Sequence, residues 1–444
     1  MTRAPAPNLP PRERVLVCGV IFPGQNAEHD GPLSEMRALL SAAGADPIGS
    51  GIVQQRAIPD GATLMGRGKV AEVEREIGEL RPDAVAVDND LSPAQIRNLE
   101  KAWKVRVLDR SEVILDIFAR RAQTRQARLQ VELAQAQYLL PRLRRMWTHL
   151  ERMEGAVGTR GPGETQLETD KRILRRRVLD LRRALGEIEE RRLREVRSRT
   201  EQFTIGLVGY TNAGKSTLLN RLTGSQELAV DMLFATLDTR TRQWRMRDGR
   251  TVLLSDTVGF LQRLPHHLVA SFHATLEETI HADLLLHVVD ASHPDAALQL
   301  EAVERVLDGL AAAGRTEVLV FNKVDAVEEP LALQLLARDS RHEIVHVSAR
   351  TGEGLERLEA VVAKHLDARS ALVEVTLPIA DGRTLSSLRR SGAMLEQRTI
   401  DDHSLVLLLK LSESALGNLR RTSPRDVVFR IVTEPDEPRV PEDN

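Results

Sequence analysis
The sequence predicts an α/β multidomain fold organised around a phosphate-binding domain with a mixed six-stranded sheet. Three observations carry that expectation. Gly209-Tyr-Thr-Asn-Ala-Gly-Lys-Ser216 has the G-x-x-x-x-G-K-[ST] spacing, with an apolar run before it (residues 203–208) and a helical stretch after it (215–222). This is the strand–loop–helix context a phosphate loop needs. Strand-like and helix-like runs then alternate as far as residue 366, as in a mostly parallel sheet. A second, shorter alternation over residues 15–101 predicts a separate N-terminal α/β domain.

Length and composition bound the rest. At 444 residues the chain exceeds what one core usually spans, so several domains are expected. Lys and Arg number 62 against 64 Asp and Glu, yet the charge is unevenly spread. Residues 110–200 hold 22 basic and 13 acidic side chains. A basic block inside an otherwise acidic protein points to a polyanionic partner for that block. Cys18, the single cysteine, lies in an apolar run; one cysteine makes no internal disulfide or cysteine metal site, and a reducing compartment is expected. The sequence has no apolar stretch of membrane-spanning length, and residues 1–14 are Pro-rich rather than signal-like. Aromatics are 3 %, too few for a base-stacking platform, so contacts to RNA would be to phosphate and shape.

Taken in order, residues 1–14 carry four prolines and little to pack, and read as a disordered tail. Val15 to Phe22 and Ala84 to Val87 read as buried strands, with helices at Pro32 to Ala43, Lys69 to Leu80 and Pro93 to Lys101. They define an N-terminal α/β domain over residues 15–110. Within it Gly66-Arg-Gly-Lys69 opens a helix and could hold an anion, which admits ATP as a second nucleotide. The full fingerprint is missing, and a glycine turn with a solvated lysine is the alternative.

Ser111 reads as the N-cap of a long helix with Leu129, Leu133, Ala136 and Leu140 at helical spacing. Leu174, Val178, Leu181, Leu185 and Ile188 repeat the spacing, so residues 111–200 are expected to form a basic antiparallel helical hairpin. Arginines crowd its outer faces, among them Arg125, Arg128 and Arg176. Because the excess is of one sign, the face is read as a surface for an anionic partner rather than as merely solvated. The link from Glu154 to Glu168 has four glycines and a proline. It is read as an irregular Gly-rich tip, a common place for binding residues; a plain connector is the alternative.

The central domain covers residues 201–368. Arg240 to Arg247, Asp248-Gly249 and Thr251 to Leu254 form a hairpin pattern, so the second and third strands are antiparallel. Further strands are expected at Leu284 to Val289, Val318 to Phe321 and Ile344 to Val347, with helices near Leu298 to Ala311, Leu331 to Ala337 and Leu355 to Leu366.

Its candidate site residues follow from chemistry. Gly209, Asn212, Ala213, Gly214 and Thr217 line the phosphate loop, Lys215 reaches the β- and γ-phosphates, and Ser216 offers a hydroxyl to Mg2+. Asp256 is placed to hold Mg2+ through water, and the Gly259 N–H to meet a γ-phosphate. Thr236, in Leu233-Phe-Ala-Thr-Leu-Asp238, is placed to close on the metal and γ-phosphate. In Asn322-Lys323-Val-Asp325 the final carboxylate can accept from guanine N1–H and the 2-amino group, a donor pair adenine lacks. Ser348 and Ala349 follow the last strand and offer a backbone N–H near guanine O6. These motifs in this order resemble the translation-factor-like GTPases, and imply a P-loop GTPase domain using GTP/GDP and Mg2+. Phe260 stands where Ras-like enzymes have a water-positioning glutamine. Slow intrinsic hydrolysis is therefore expected, with a partner or a monovalent cation supplying what is missing. Asn212 is the residue seen in cation-dependent relatives, which brings in K+.

Over residues 15–366 the chain resembles the HflX family of ribosome-associated GTPases. The resemblance rests on Gly66-Arg-Gly-Lys69, Asp88-Asn-Asp-Leu-Ser-Pro93, Asp109-Arg-Ser-Glu-Val113, Gln130-Val-Glu-Leu133, Gly161-Pro-Gly-Glu-Thr-Gln-Leu-Glu168 and Asp170-Lys-Arg172. Phe234-Ala-Thr-Leu-Asp238 and Asp256-Thr-Val-Gly-Phe260 fit too. Lys171 replaces the arginine of many relatives and keeps the charge. The resemblance implies binding to the large ribosomal subunit, splitting of stalled or idle ribosomes, and a Gly-rich tip near the peptidyl-transferase centre. Arg160, Gly161, Gly163, Arg125, Arg128 and Arg176 are then the candidates that face ribosomal RNA. A cytoplasmic monomer is implied, in part ribosome- or membrane-associated, with no membrane span and no DNA partner. Two alternatives stand beside this: a module that occludes ribosomes and uses GTP as an affinity switch, and a GTPase acting on another RNA. Residues 369–433 read as a small α+β domain (Leu372 to Leu377, Thr384 to Arg390, Leu405 to Leu411), and residues 434–444 as an acidic tail.

Overall fold
The computed structural model describes residues 12–23, 31–143, 162–198, 203–225, 240–257, 259–261, 282–309, 316–327, 342–400, 403–424 and 426–432. The chain divides into two compact units, residues 1–189, 230–238 and 258–275 in the first, and 190–229, 239–257 and 276–444 in the second.

The first unit contains a parallel sheet of β1 (Arg14–Ile21), β2 (Asp46–Gln55), β3 (Ala84–Val87) and β4 (Arg106–Asp109) in the order β2-β1-β3-β4. Residues 15–20 of β1 and all of β3 are buried, the near-continuous apolar run of a strand covered on both faces. Both were expected. β2 and β4 were not: β2 carries Pro47, Gly49 and Gly51, residue types depleted in strands, and β4 offers only Val107 and Leu108 between two charged residues. Pairing with β1 and β3 overrides those local signals. Helices α1 (Ser34–Ala42), α2 (Arg67–Leu80), α3 (Pro93–Trp103) and α4 (Arg110–Arg121) complete the fold.

The expected long helix is corrected at its start and in its continuity. Asp109, not Ser111, caps α4, its carboxylate accepting from the Glu112 N–H at 2.8 Å. Ser111 sits in the first turn and donates to Asp90 Oδ1 at 2.5 Å. The helix stops at Arg121, and Thr124 caps a new one, α5 (Arg125–Leu139), accepting from the Ala127 N–H at 3.1 Å. α4 buries Val113, Ile114, Ile117 and Phe118; the arm begins with α5. Its partner is α6 (Pro162–Ser198). Leu133, Ala136, Val178 and Leu181 are buried together, with Leu129, Leu174 and Leu185 packed against them, the helical spacing read from the sequence. Glu132 and Arg177 pair across at 2.6 Å. α6 opens at Pro162, so residues 162–168 of the expected irregular tip are helical. Proline suits a first helical position, where its missing N–H would be unpaired anyway. Residues 144–161 lie outside the described residues.

In the second unit β5 (Thr204–Gly209), β6 (Arg240–Arg245), β7 (Thr251–Asp256), β8 (Leu284–Asp290), β9 (Glu317–Asn322) and β10 (Glu343–His346) form one sheet in the order β10-β9-β8-β5-β7-β6. Only β6 runs antiparallel to its neighbour. The β6–β7 turn closes at Gly249, in the left-handed region at φ +87°. With α7 (Lys215–Thr223), α8 (Ala296–Gly309) and α9 (Leu355–Asp367) the sheet has the mixed six-stranded form expected. Leu207, Val252, Leu286 and Val320 pack in one core with Leu218 and Leu358. The helix expected near residues 331–337 falls outside the described residues. The C-terminal part is a βαββαβ unit of β11 (Ser370–Pro378), α10 (Gly382–Ser391), β12 (Gly392–Thr399), β13 (Ser404–Ser412), α11 (Glu413–Thr422) and β14 (Val428–Ile431), antiparallel in the order β12-β13-β11-β14. β12, α11 and β14 had not been read; β12 is an edge strand whose last five residues are exposed. Of the tail expected over residues 1–14, residues 1–11 are outside the described residues and Arg14 already belongs to β1; the tail expected over residues 434–444 lies wholly outside them.

Candidate nucleotide site
The carboxyl ends of β5, β7, β8 and β9 converge on the loop that joins β5 to α7, the place where ligands bind in sheets of this kind. Two glycines are obligatory there. Gly209 has φ +146°, and a Cβ on it would lie 2.2 Å from the Val288 carbonyl oxygen. Gly214 has φ +90°, and its Cβ would lie 2.2 Å from Asn322 Nδ2. Between them Asn212 is exposed at φ +64°, and Ala213 is buried.

Lys215 is buried, and its Nζ donates to the carbonyls of Gly209 at 3.0 Å and Tyr210 at 2.7 Å. Burial pulls its pKa down to about 8, against an opposing pull from the Asp256 charge. Ser216 Oγ donates to Asp256 Oδ2 at 2.6 Å, and the adjoining Thr257 hydroxyl ties the end of β7 to the Leu207 carbonyl at 2.7 Å. The Ser216 and Asp256 oxygens form a hard, all-oxygen set, the donor chemistry Mg2+ prefers. Thr217 is half-buried one residue on.

Asn322 links the phosphate loop to the other end of the site. Its Nδ2 donates to the Ala213 carbonyl at 2.9 Å, and its Oδ1 accepts from the Ala349 N–H at 3.0 Å. Lys323 takes a left-handed backbone (φ +63°) and pairs with Asp290 at 2.6 Å. Asp325 accepts from Ser348 Oγ at 2.5 Å and pairs with Arg350. The Ser348 hydrogen bond, helped by the Arg350 charge, holds its carboxyl below the usual range. Ser348 Oγ in turn accepts from the Thr351 N–H at 3.0 Å. The structure therefore brings together Gly209, Asn212, Ala213, Gly214, Lys215, Ser216, Thr217 and Asp256 at one end, and Asn322, Lys323, Asp325, Ser348 and Ala349 at the other. The Ala349 N–H, expected near guanine O6, is engaged by Asn322, so O6 would share or displace that bond.

Gly259 and the buried Phe260 belong to the first unit. Thr236, Arg160 and Gly161 are outside the described residues. Gly163 lies in the first turn of α6; Arg125, Arg128 and Arg176 are exposed on α5 and α6. Sequence reasoning missed three groups. Asp290 ends a buried strand, a position that could have flagged it. Arg350, and Arg221 of α7, which donates to the Thr351 carbonyl at 3.2 Å, carried no local signal.

A mixed sheet with a lysine-bearing phosphate loop and an Asn-Lys-x-Asp strand end defines the class of P-loop GTPases. Residues 204–323 match the family described as 50S ribosome-binding GTPase, residues 30–119 the GTP-binding GTPase N-terminal family, and residues 121–199 the GTP-binding GTPase middle region. The chain is 43 % identical to the GTPase HflX of Magnetococcus marinus over 401 residues, 89 % of this chain and 91 % of that protein. It is 42 % identical to the GTPase HflX of Escherichia coli over 381 residues, 85 % and 89 % of the two chains. With that of Lacrimispora saccharolytica it shares 40 % over 392 residues, 88 % and 92 %. The chain belongs to the HflX family of GTPases and hydrolyses GTP. Among the described residues, no helix is long and apolar enough to cross a membrane.

Proposed function
We propose that this GTPase binds the large ribosomal subunit and separates stalled or idle ribosomes, its nucleotide state setting the posture of a basic arm against ribosomal RNA. The observation that carries this reading is the outer face of α6. Arg172, Arg175, Arg176, Arg182 and Arg183 are all exposed along it, within the segment where basic residues exceed acidic ones by 22 to 13. A helix face this rich in arginine suits phosphate contacts. Arg125, Arg128 and Gly163 lie on the same two helices, and Arg160 and Gly161 just before α6. The match to a family described as 50S ribosome-binding supports the choice of partner. The protein acts in the cytoplasm as a monomer.

In the nucleotide site, Lys215 cradles the β- and γ-phosphates with the loop amides, and the Gly259 N–H meets the γ-phosphate. Ser216 and Thr236, with Asp256, would hold Mg2+, which would offset charge on the phosphate oxygens. Asp325 reads guanine through N1–H and the 2-amino group, exchanging Arg350 for the base. Phe260 orients no water, so turnover is slow until the ribosome or K+ beside Asn212 supplies the missing group. ATP at the Gly66–Lys69 turn would have to displace Glu72 from Lys69 and Gln54 from the Gly66 amide.

GTP turnover with and without large subunits tests the coupling; no stimulation would refute it. Sedimentation of ribosomes with a non-hydrolysable analogue then separates splitting from simple occlusion.

A further inference from the structure
Two stretches of the N-terminal fold, residues 88–93 and 109–113, match the HflX pattern yet take no part in the nucleotide site. Asp109 shows what they do. It is wholly buried, and as the cap of α4 it requires one partner, the Glu112 N–H. It has three more. Tyr138 Oη donates to Oδ1 at 2.9 Å, Arg142 Nη2 donates to Oδ2 at 3.1 Å, and the Leu91 N–H approaches Oδ2 at 3.4 Å. Arg142 also donates to the carbonyls of Leu91 at 2.8 Å and Tyr138 at 3.0 Å, and its guanidinium lies 3.6 Å from the centre of the Tyr138 ring. Tyr138 is 5 % exposed, and the Arg142 side chain 14 %.

The last turn of α5 and the 3-10 turn after it (Leu140–Arg142) are therefore bound to the end of β4 by a buried charge pair as well as by packing. A buried ion pair is an inefficient source of stability. Its property is direction, because a planar guanidinium held by three acceptors and a ring face tolerates little rotation, whereas apolar surfaces slide.

We propose that Asp109, Tyr138 and Arg142 form a latch that fixes the direction in which the chain leaves α5, and with it the arm's approach to the large ribosomal subunit. The second half rests on the function proposed above. These are positioning residues; none belongs to the candidate nucleotide site.

The test uses the full-length protein with Arg142→Ala, Arg142→Lys and Tyr138→Phe, the last deleting a single oxygen. Amide hydrogen exchange is read over residues 138–143, alongside basal and subunit-stimulated GTP turnover. In Arg142→Ala these amides exchange about tenfold faster or more, those of β5 and β7 keep their rates, and basal turnover is unchanged while stimulation falls. Tyr138→Phe moves the same readouts less, and Arg142→Lys, which restores the charge without the fork, recovers part of them. Unchanged exchange in both Arg142→Ala and Tyr138→Phe overturns the latch. Faster exchange with full stimulation overturns its positioning role. If the unmodified protein itself shows no stimulation, the ribosomal reading falls, and exchange alone decides the latch.

Discussion
Asn322→Ala tests how the two ends of the nucleotide site are joined. The Asn322 side chain is 1 % exposed and spans the Ala213 carbonyl and the Ala349 N–H at 2.9 and 3.0 Å. Truncation removes both bonds at once. A buried backbone group left unpaired costs about 1–3 kcal/mol, so the pair costs about 2–6 kcal/mol. Converted to an equilibrium constant, this is about 30-fold to about 10⁴-fold. Because Ala213 lies in the phosphate loop and Ala349 beside the base-reading Ser348, the loss falls on nucleotide affinity more than on the β5–β8 sheet. Asn322→Asp is the informative companion. It keeps an acceptor for the Ala349 N–H but sets a carboxylate oxygen against the Ala213 carbonyl, so it binds no better than the alanine variant. Calorimetric titration with GDP gives the affinities, and thermal unfolding reports the stability share. An Asn322→Ala protein that binds GDP within about threefold of the unmodified chain, with the same melting temperature, refutes the reasoning.

Three other outcomes are expected. Asp325→Asn removes two charge-assisted acceptors worth about 1.5–3 kcal/mol each, so GTP binding weakens at least about a hundredfold and xanthine nucleotides are preferred; persistent guanine preference in a competition assay refutes the assignment. Lys215 must be an ammonium to meet phosphate, and its pKa is near 8 rather than 10.5. GTP affinity therefore begins to fall near pH 8, by up to about tenfold per unit, while Lys215→Met binds weakly and lacks the fall near pH 8; parallel curves for the two proteins contradict this. For folding the sign is opposite: a buried lysine with a lowered pKa favours the neutral form, so its contribution to stability rises as pH climbs from 8 toward 10.5. Arg110 is 2 % exposed and pairs with Glu35 and with Asp88 at 2.6 Å. Arg110→Leu removes the shared cation from two carboxylates at a buried site and costs about 3–5 kcal/mol in urea unfolding, most of it recovered when Glu35 and Asp88 are also made leucine; no recovery would point to lost packing instead.

How much was legible follows from the range of each signal. The phosphate loop, the β6–β7 turn at Asp248-Gly249, the Asn322 to Asp325 strand end and the heptad-like spacing of α5 and α6 are all set by neighbours a few residues apart. Their stereochemical demands leave a mark in the local sequence. β2 and β4 left none, since a glycine-bearing strand and a strand with two apolar residues between charged ones are held by pairing with β1 and β3. The false cap at Ser111 has the same origin. Ser111 and Asp109 are both good caps, and the choice falls to Asp109 because the chain must first complete β4 against β3.

The sequence by itself determined the nucleotide chemistry, because a glycine that must reach φ +90° beside Asn322 and a lysine that must meet phosphate admit few substitutes. Tertiary structure alone decided the partnerships across distance: Asn322 between two loops, Asp290 with Lys323, and Asp109 with Tyr138 and Arg142. Each joins residues tens of positions apart, and the physical reason is common to all of them. A buried polar group must find a partner wherever the fold has placed one, and that place is set by the packing of whole sheets and helices rather than by any short stretch of chain.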